Sequence, residues 1–236
     1  MDGLILSANP FQDDSAIVLL ASETGLKSFL CRSVYKMKSP LKAMLLAFNE
    51  VEVDYVEMSD DFYLARQAST RVDVSASYLD FGKNVFLTFL QECSVLFYQC
   101  GDSYPLKQVR SILKGMEDGK DLLTLLLLFL GTLYSSLGIK METRECILCH
   151  KKENLVSYSL KEGGFYCKNC TKEEIKNSMN LYVMKFAFME PTEENKSRIV
   201  PKETGKKVLV ELVQNLLDYF DIKRITSLSM VLQELS

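Results

Sequence analysis

Short runs of hydrophobic and β-branched residues, separated by turn residues, occupy the first 70 positions and predict β-strands. In one of these segments Val51, Val53 and Tyr55 alternate with acidic residues, so one face is expected to be buried and the other to face water. The predicted strands are Gly3–Ala8, Ala16–Ser22, Leu26–Arg32, Phe48–Met58 and Phe62–Ala68. Five strands in so short a segment predict a small closed or partly closed β-barrel, for which the OB-fold is the common nucleic-acid-binding form.

From about residue 80 the hydrophobic period becomes helical. Apolar residues recur at i, i+3 and i+4 between Val85 and Phe97, and a similar stripe between Val208 and Phe220 predicts a last amphipathic helix. The sequence therefore predicts an α+β protein. A barrel domain spans residues 1–79 and a helical domain spans residues 80–236.

Local signals place further boundaries in the helical domain. Thr171, followed three residues later by Glu174, has the pattern of a capping box and predicts a helix that starts directly after Cys170. The polar segment Thr192–Arg198, after Pro191, is predicted to be a loop.

The segment Leu122–Ile139 contains no charged residue over 18 positions, which is the lower limit for a membrane-spanning helix. It also contains several hydroxyl residues and glycines, and no Lys/Arg cluster flanks it. A helix packed on all sides within a helical domain has the same composition. The sequence favours this buried helix over a membrane span.

Two CxxC pairs give the chain its strongest chemical signal. Cys146 and Cys149 form the first pair, Cys167 and Cys170 form the second, and 17 residues separate them. This spacing is typical of a structural zinc site, in which four thiolates hold one ion and leave no coordination position open. We therefore expect Zn²⁺ in a structural role within the motif 146–170.

Three other interpretations of these cysteines are weaker. Cys146 to His150 reads as the CxxCH of c-type haem attachment, but the N-terminus lacks the features of an export signal and the second pair is left unexplained. A redox CxxC lacks the expected βαβ setting, and disulfides fit poorly with an odd total of seven cysteines. Iron can also bind the same four thiolates. The remaining cysteines, Cys31, Cys93 and Cys100, are predicted to be core residues.

The charge distribution is uneven, although the net charge of the chain is only −3. Residues 1–80 carry 7 basic and 12 acidic side chains, a net charge of −5. Within that acidic region one 16-residue segment has no acidic residue, and we call its basic side chains the basic strip: Lys27, Arg32, Lys36, Lys38 and Lys42. The strip is a candidate anion-binding surface, and an ordinary solvated loop explains it about equally well.

The sequence predicts no catalytic centre. It has one histidine, no GxSxG, no Walker A motif and no GxGxxG after a strand. We therefore expect that the protein is not an enzyme.

Several of these segments together resemble RecO, the bacterial recombination-mediator and DNA-repair family. The similarity runs the length of the chain, and its most specific part is the segment Ser159 to Cys170, with the pattern Ser-x-x-x-Gly-Gly-x-x-Cys-x-x-Cys. Weaker matches are Gly3-Leu4-Ile5-Leu6, Thr24-Gly25-Leu26, Lys38-Ser39, Leu137-Gly138 and Ile225–Leu232.

The resemblance implies a mediator of DNA repair and homologous recombination in the RecF pathway. Such a protein binds single- and double-stranded DNA partly through the barrel, pairs with RecR, binds the acidic C-terminal tail of single-stranded DNA-binding protein, and helps to load RecA and anneal strands. The basic strip would then be the phosphate-contacting face. RecO-like barrels are usually basic, whereas this one carries a net charge of −5, so weaker or more partner-dependent DNA binding is expected.

Three basic residues are candidates for the partner peptide. Lys107, Arg110 and Lys114 are spaced at i, i+3 and i+7, which puts them on one face of a predicted helix. A solvated helix face is an equally good interpretation.

The competing function is a zinc-stabilised protein–protein adaptor that binds no nucleic acid. We expect the protein to lie in the bacterial cytoplasm, to associate with the nucleoid and not to bind a membrane.

Overall fold

The computed structural model describes residues 1–60, 62–98 and 103–235. The chain divides into two compact units, Met1–Leu106 and Lys107–Ser236. The first unit therefore includes the helix that follows the barrel. The predicted domain boundary between residues 79 and 80 lies close to the start of that helix and stays a prediction.

The first unit contains a closed five-stranded barrel, as the sequence predicted. The strands are β1 (Asp2–Phe11), β2 (Ser15–Ser22), β3 (Gly25–Cys31), β4 (Glu50–Ser59) and β5 (Phe62–Val72). Their order around the barrel is β1-β2-β3-β5-β4, and β1 pairs with β4 to close it. The β3–β5 pair is parallel and the others are antiparallel. This is the OB-like architecture expected from five short strands.

The alternating pattern decides which side chains fill the barrel. On β4, Val51 and Val53 are buried while Glu52 and Asp54 are exposed. Gly3 on β1 is required by close packing, because a Cβ there would lie 2.2 Å from Cδ2 of Leu20 on the neighbouring strand. The buried members of the barrel core are Ile5, Ala16, Val18, Leu20, Phe29, Cys31, Val34, Leu41, Met44, Val51, Val53, Tyr63 and Ala65.

Helices and a small sheet make up the rest of the described chain. A 3-10 turn spans Lys42–Leu45 and another spans Ser77–Leu79. The α-helices are α1 (Phe81–Phe97), α2 (Leu106–Glu117), α3 (Leu122–Ser136), α4 (Ser178–Ala187), α5 (Glu193–Lys196), α6 (Lys202–Tyr219) and α7 (Leu228–Glu234). A three-stranded sheet contains β6 (Glu142–Cys146), β7 (Leu155–Ser159) and β8 (Gly164–Cys167).

The uncharged segment forms a buried helix, as predicted. Every residue of α3 from Leu123 to Tyr134 is buried, and α3 packs against α4 and α6. The approach to α4 is very close, because a Cβ on Gly131 would lie 1.8 Å from the carbonyl oxygen of Ala187. Among the described residues, no helix combines the length and the apolar character needed to cross a membrane.

Two predicted boundaries in the helical region are wrong. No helix starts at Thr171, because its hydroxyl bonds the Ser157 hydroxyl and accepts the Glu173 N–H. Helix α4 begins only at Ser178, where the Asn177 side chain accepts the Asn180 N–H at 2.8 Å.

The loop predicted at Thr192–Arg198 contains a short helix, α5. It is capped by Thr192, whose hydroxyl accepts the Asn195 N–H at 3.2 Å.

Candidate metal centre and nucleic-acid interface

The four predicted cysteines come together in one cluster. The sulfur atoms of Cys146, Cys149, Cys167 and Cys170 all lie within 4.8 Å of one another. The Cys149 and Cys167 sulfurs are 3.6 Å apart, which matches the edge of about 3.8 Å that a tetrahedron with Zn–S bonds of about 2.3 Å requires. The cluster could therefore hold one metal ion.

The small sheet explains why the two cysteine pairs meet. Strands β6 and β8 are parallel and end at Cys146 and Cys167, so the first cysteine of each pair leaves the same edge of the sheet. Each pair then turns back on itself. The His150 N–H donates to the Cys146 carbonyl at 2.8 Å, and the Cys170 N–H donates to the Cys167 carbonyl at 3.0 Å. His150 itself is exposed and pairs with Glu145 at 2.7 Å.

Backbone N–H groups favour thiolates at Cys146 and Cys167, whereas hydrogen bonds with the thiols of Cys149 and Cys167 raise the pKa of Cys170 to about 12. Burial raises the pKa of the Cys146 thiol, but hydrogen bonds from the N–H groups of Cys167, Cys149 and Leu148 outweigh it and lower the pKa to about 6. At Cys167, burial also raises the pKa, and the N–H groups of Asn169 and Cys170 together with neighbouring thiols lower it below its usual value. Thiolates are the form that binds metal ions.

Few apolar side chains pack directly around the cysteines. The buried core there contains Cys146, Tyr166 and Cys167, with Ile147, Leu155 and Cys170 packed against them. Two of the three core residues are themselves members of the cysteine cluster. Elsewhere in the sheet Tyr158 and Phe165 are also buried, and β7 packs against α4. A bound ion would add a crosslink at the edge of the sheet where the cysteines lie.

Lysines surround the cluster. A cavity of about 490 Å³ beside Cys167 is lined by Lys151, Lys152 and Lys168. One Zn²⁺ with four thiolates has a net charge of −2, and nearby lysines offset that charge. With a metal bound, these lysines would offset the negative charge of the cluster.

A polar contact joins the cysteine-containing sheet to helix α6. The Tyr158 hydroxyl on β7 donates to the Glu211 carboxylate on α6 at 2.5 Å. Lys176 lies 3.9 Å from the same carboxylate and 5.5 Å from the centre of the Tyr158 ring. Burial, and then the Glu211 carboxylate, raise the pKa of Tyr158, so this hydroxyl stays protonated and continues to donate.

Four of the five basic-strip residues belong to one continuous surface segment. Arg32, Lys36, Lys38 and Lys42 are exposed in the loop after β3 and at the start of the 3-10 turn. Lys27 is different, because it is half-buried on β3 opposite Leu20, which is a member of the barrel core. Along the strand, Lys27 lies five residues before Arg32, which corresponds to about 16 Å. Its role in anion binding stays a prediction.

The segment from the end of β3 to the first residue of the 3-10 turn, residues 32–42, is fixed at several points, and we call it the basic loop. Val34 and Leu41 are buried in the barrel core. The Ala68 N–H on β5 donates to the Pro40 carbonyl at 3.0 Å. These anchors leave the residues between Val34 and Leu41 facing water.

The surface that OB-folds commonly use to bind nucleic acid is not basic here. On the outward side of β2 and β3, Ala21, Leu26 and Leu30 are buried. The turn between β1 and β2 carries Asp13 and Asp14, and Asp60 begins the turn after β4. OB-folds usually bind through the β2–β3 face and these two turns. Apolar burial and carboxylates disfavour phosphate there. Most exposed cations of the barrel lie in the basic loop, and two more, Arg66 and Arg71, lie on β5, where Arg71 pairs with Glu52.

Helix α2 carries the residues proposed for the partner peptide. Lys107 and Lys114 are exposed and Arg110 is half-buried on one helix face. The apolar stripe of α2, including Val109, Ile112 and Met116, lies in the core. This stripe therefore cannot form the open hydrophobic pocket that such a peptide requires, and neighbouring elements would have to supply it.

The buried charged residue Lys196 was not predicted from the sequence. The Lys196 side chain is completely buried and donates to the Ser111 carbonyl at 2.9 Å and to Glu193 at 2.7 Å. It links α5 to α2. No local motif marks this lysine, because its partner Ser111 lies 85 positions away.

Cys31 and Cys93 are buried, as predicted, and Cys100 lies outside the described residues.

Comparison with known proteins gives a consistent result. A family model described as "Recombination protein O N terminal" matches residues 1–71, and one described as "Recombination protein O C terminal" matches residues 102–219. The chain is 27% identical to the DNA repair protein RecO of Dehalococcoides mccartyi (strain CBDB1) over 215 residues, which cover 84% of this chain and 79% of the relative. The RecO of Bacillus cytotoxicus is 23% identical over 186 residues, 71% of this chain and 68% of the relative. The RecO of Lactobacillus acidophilus is 21% identical over 174 residues, 72% and 69%.

Proposed function

The chain belongs to the recombination protein O (RecO) family of DNA repair and recombination proteins, and from that membership we propose that it is a recombination mediator with no catalytic chemistry of its own. It binds single- and double-stranded DNA. Together with RecR and single-stranded DNA-binding protein it loads RecA and anneals complementary strands. It acts in the bacterial cytoplasm, at the nucleoid.

The observation that carries the DNA-binding proposal is the basic loop on an otherwise acidic barrel. Arg32, Lys36, Lys38 and Lys42 are exposed on a segment that the barrel core anchors. The carboxylates of the barrel lie in other turns and on β1 and β4. Phosphate contacts by such residues release counterions and give salt-dependent affinity. The acidic remainder of the barrel repels phosphate and confines a bound strand to this loop.

The metal is proposed to be zinc in a structural role. Four thiolates at tetrahedral spacing are the ligand set of structural zinc sites, and with all four present no position is left for substrate. When bound, the ion crosslinks the two turns and adds to the folding energy of the sheet. Iron would be recognised by the absorption of an iron–sulfur chromophore in the purified protein.

Binding of single-stranded oligonucleotide at several salt concentrations tests the DNA-binding proposal. The full chain should lose affinity as salt rises. Replacing Arg32, Lys36, Lys38 and Lys42 by Ala should flatten the plot of log affinity against log salt by about 0.7 for each phosphate that is no longer bound. Metal content and melting temperature should not change, because all four side chains are exposed.

Two outcomes would contradict this proposal. An unchanged salt slope in the quadruple variant would place the DNA surface elsewhere, with Lys151, Lys152 and Lys168 as the next candidates. No binding by the full chain at low salt would favour the protein–protein adaptor.

The partner peptide is proposed to bind beside the basic face of α2, defined by Lys107, Arg110 and Lys114. An acidic peptide with an apolar end needs cations at the rim of a hydrophobic pocket. Charge reversal in Arg110→Glu/Lys114→Glu should abolish binding of a peptide with the tail sequence of single-stranded DNA-binding protein, measured by fluorescence anisotropy. Oligonucleotide binding by the barrel should be unaffected. Undiminished peptide affinity would exclude this face.

A further inference from the structure

The basic loop exposes two large non-charged side chains between its cations. Tyr35 is 43% exposed and Met37 is 86% exposed, and they alternate with Lys36 and Lys38 along the chain. A single exposed apolar residue is ordinary on a protein surface. Here an aromatic ring and a thioether are placed within the segment that carries most of the exposed cations of the barrel.

The backbone of the loop is already ordered. The Lys36 N–H donates to the Ser33 carbonyl at 3.3 Å, and the Ser39 N–H donates to the Lys36 carbonyl at 3.0 Å, which gives two successive turns. The Leu41 N–H donates to the Ser39 hydroxyl at 3.2 Å. Binding of a ligand to this loop therefore loses little entropy through ordering of the backbone.

The acidic turn between β1 and β2 bounds one side of the loop. The Tyr35 N–H points to the Asp14 carbonyl at 3.5 Å, so this turn lies beside Tyr35. Asp13 and Asp14 carry negative charge there and repel phosphates. Phosphates are therefore disfavoured beside Tyr35 on the side of this turn.

We infer that Tyr35 stacks on an unpaired base of a bound strand while Lys36, Lys38 and Lys42 contact the neighbouring phosphates, with Met37 packed against an adjacent base. This inference rests on the proposed DNA binding by the same loop. Every base offers a flat π face, so the contact is sequence-tolerant. In a duplex those faces are covered by stacking, so the loop selects single-stranded over double-stranded DNA.

The test measures the affinity of the full chain for a fluorescent single strand and for the matching duplex. Tyr35→Ala should lower single-strand affinity by about 5- to 150-fold, the range that alanine substitution gives for one stacked base. Duplex affinity and the salt slope should change little, because the lysines remain. Tyr35→Phe should restore the single-strand preference, since it keeps the ring and loses only the hydroxyl.

A second readout reports stacking directly. 2-Aminopurine placed at successive positions of the strand should be quenched at one position by the unmodified chain and by Tyr35→Phe, but not by Tyr35→Ala. Tyr219→Ala is the matched control, because Tyr219 is also an exposed tyrosine and lies in the second unit. Its binding should equal that of the unmodified chain.

Different results would contradict the stacking inference and the proposal that DNA binds through the loop. An unchanged ratio of single-strand to duplex affinity in Tyr35→Ala, with the lysine-dependent salt slope still present, overturns the stacking inference alone. A salt slope that does not depend on Arg32, Lys36, Lys38 and Lys42 overturns DNA binding through the loop. Tyr35→Ala should keep the melting temperature of the unmodified chain, because the replaced ring is exposed.

Discussion

The barrel and the cysteine-containing sheet are both small β structures, but they are stabilised by different means. The barrel closes on itself and encloses a continuous core, in which Phe29 stacks on Tyr63 with ring centres 5.3 Å apart. The three-stranded sheet is open, and the buried cluster at its cysteine edge consists largely of its own candidate metal ligands. Burial of a closed core therefore stabilises the barrel, whereas a bound metal ion would add to the burial of Tyr158 and Phe165 in the sheet.

The two regions also differ in the electrostatic surroundings of their basic residues. On the barrel, the cations of the basic loop lie in water on an acidic unit, where they can bind an external anion. Around the cysteines, Lys151, Lys152 and Lys168 lie beside an internal negative charge once a metal is bound. Similar surface lysines therefore have different electrostatic partners in the two regions.

The largest effect is expected from removing a cysteine ligand. Cys149→Ser or Cys167→Ser should remove the metal and unfold β6–β8, because binding energy at such sites is largely folding energy. Elemental analysis and hydrogen exchange measure the two changes. Amides of the barrel should keep their protection.

Cys93→Ala provides the control for this substitution. Cys93 is buried outside the cysteine cluster, so this variant should keep one metal ion per chain. Stoichiometric metal in the serine variants would contradict the structural role.

The corresponding test of the barrel replaces a residue of its core. Phe29→Ala removes a fully buried ring that contacts both Tyr55 and Tyr63, and should cost about 3–5 kcal/mol of stability. Urea unfolding followed by barrel tyrosine fluorescence measures this cost. Metal content should remain unchanged, and its loss would show that the two regions are not stabilised separately.

A smaller effect is expected at the contact between β7 and α6. Tyr158→Phe removes the hydrogen bond to Glu211, which is partly exposed and can be rehydrated, so the expected cost is about 1 kcal/mol. The pKa of Tyr158 is raised in the folded chain, so its contribution is complete below the unfolded pKa of about 10 and is lost as pH rises beyond it.

Melting temperatures across the alkaline range test this linkage. The unmodified chain should lose stability faster than Tyr158→Phe above about pH 10. Parallel pH profiles of the two proteins would show that the hydroxyl does not couple to folding.

The smallest effect is expected from the lysines beside the cysteines. Changing Lys151, Lys152 and Lys168 together to Ala should modestly weaken metal retention against a chelator, because exposed charges are screened by salt. The salt slope of oligonucleotide binding should not change. A reduced slope would show that these lysines also contact phosphate.

The sequence predicted the features that depend on short-range patterns. Short β-rich runs between turn residues predicted the five barrel strands, and CxxC spacing predicted the cysteine cluster, because both signals are carried by neighbouring residues. The capping-box prediction at Thr171 failed because a residue 14 positions earlier, Ser157, binds its hydroxyl. The helix is capped instead by Asn177, whose side chain accepts the Asn180 N–H.

The basic strip shows a second limit of sequence reasoning. A run free of acidic residues groups Lys27 with Arg32, but strand geometry separates them, since Lys27 lies on the side of β3 that faces the core. Exposed Tyr35 and Met37 could have been suspected from their alternation with lysines. Their exposure follows from Val34 and Leu41, whose burial depends on the whole barrel.

The position of the closed barrel along the chain has a consequence for protein synthesis. Its last strand ends at Val72, and 73 residues separate that point from Cys146. At roughly 5–20 residues per second, the ribosome needs about 4–15 s to make them, whereas small β-barrels fold in roughly milliseconds to seconds. The barrel can therefore close before the first ligand for the metal is translated. A cell short of metal still produces this part of the protein in its folded form.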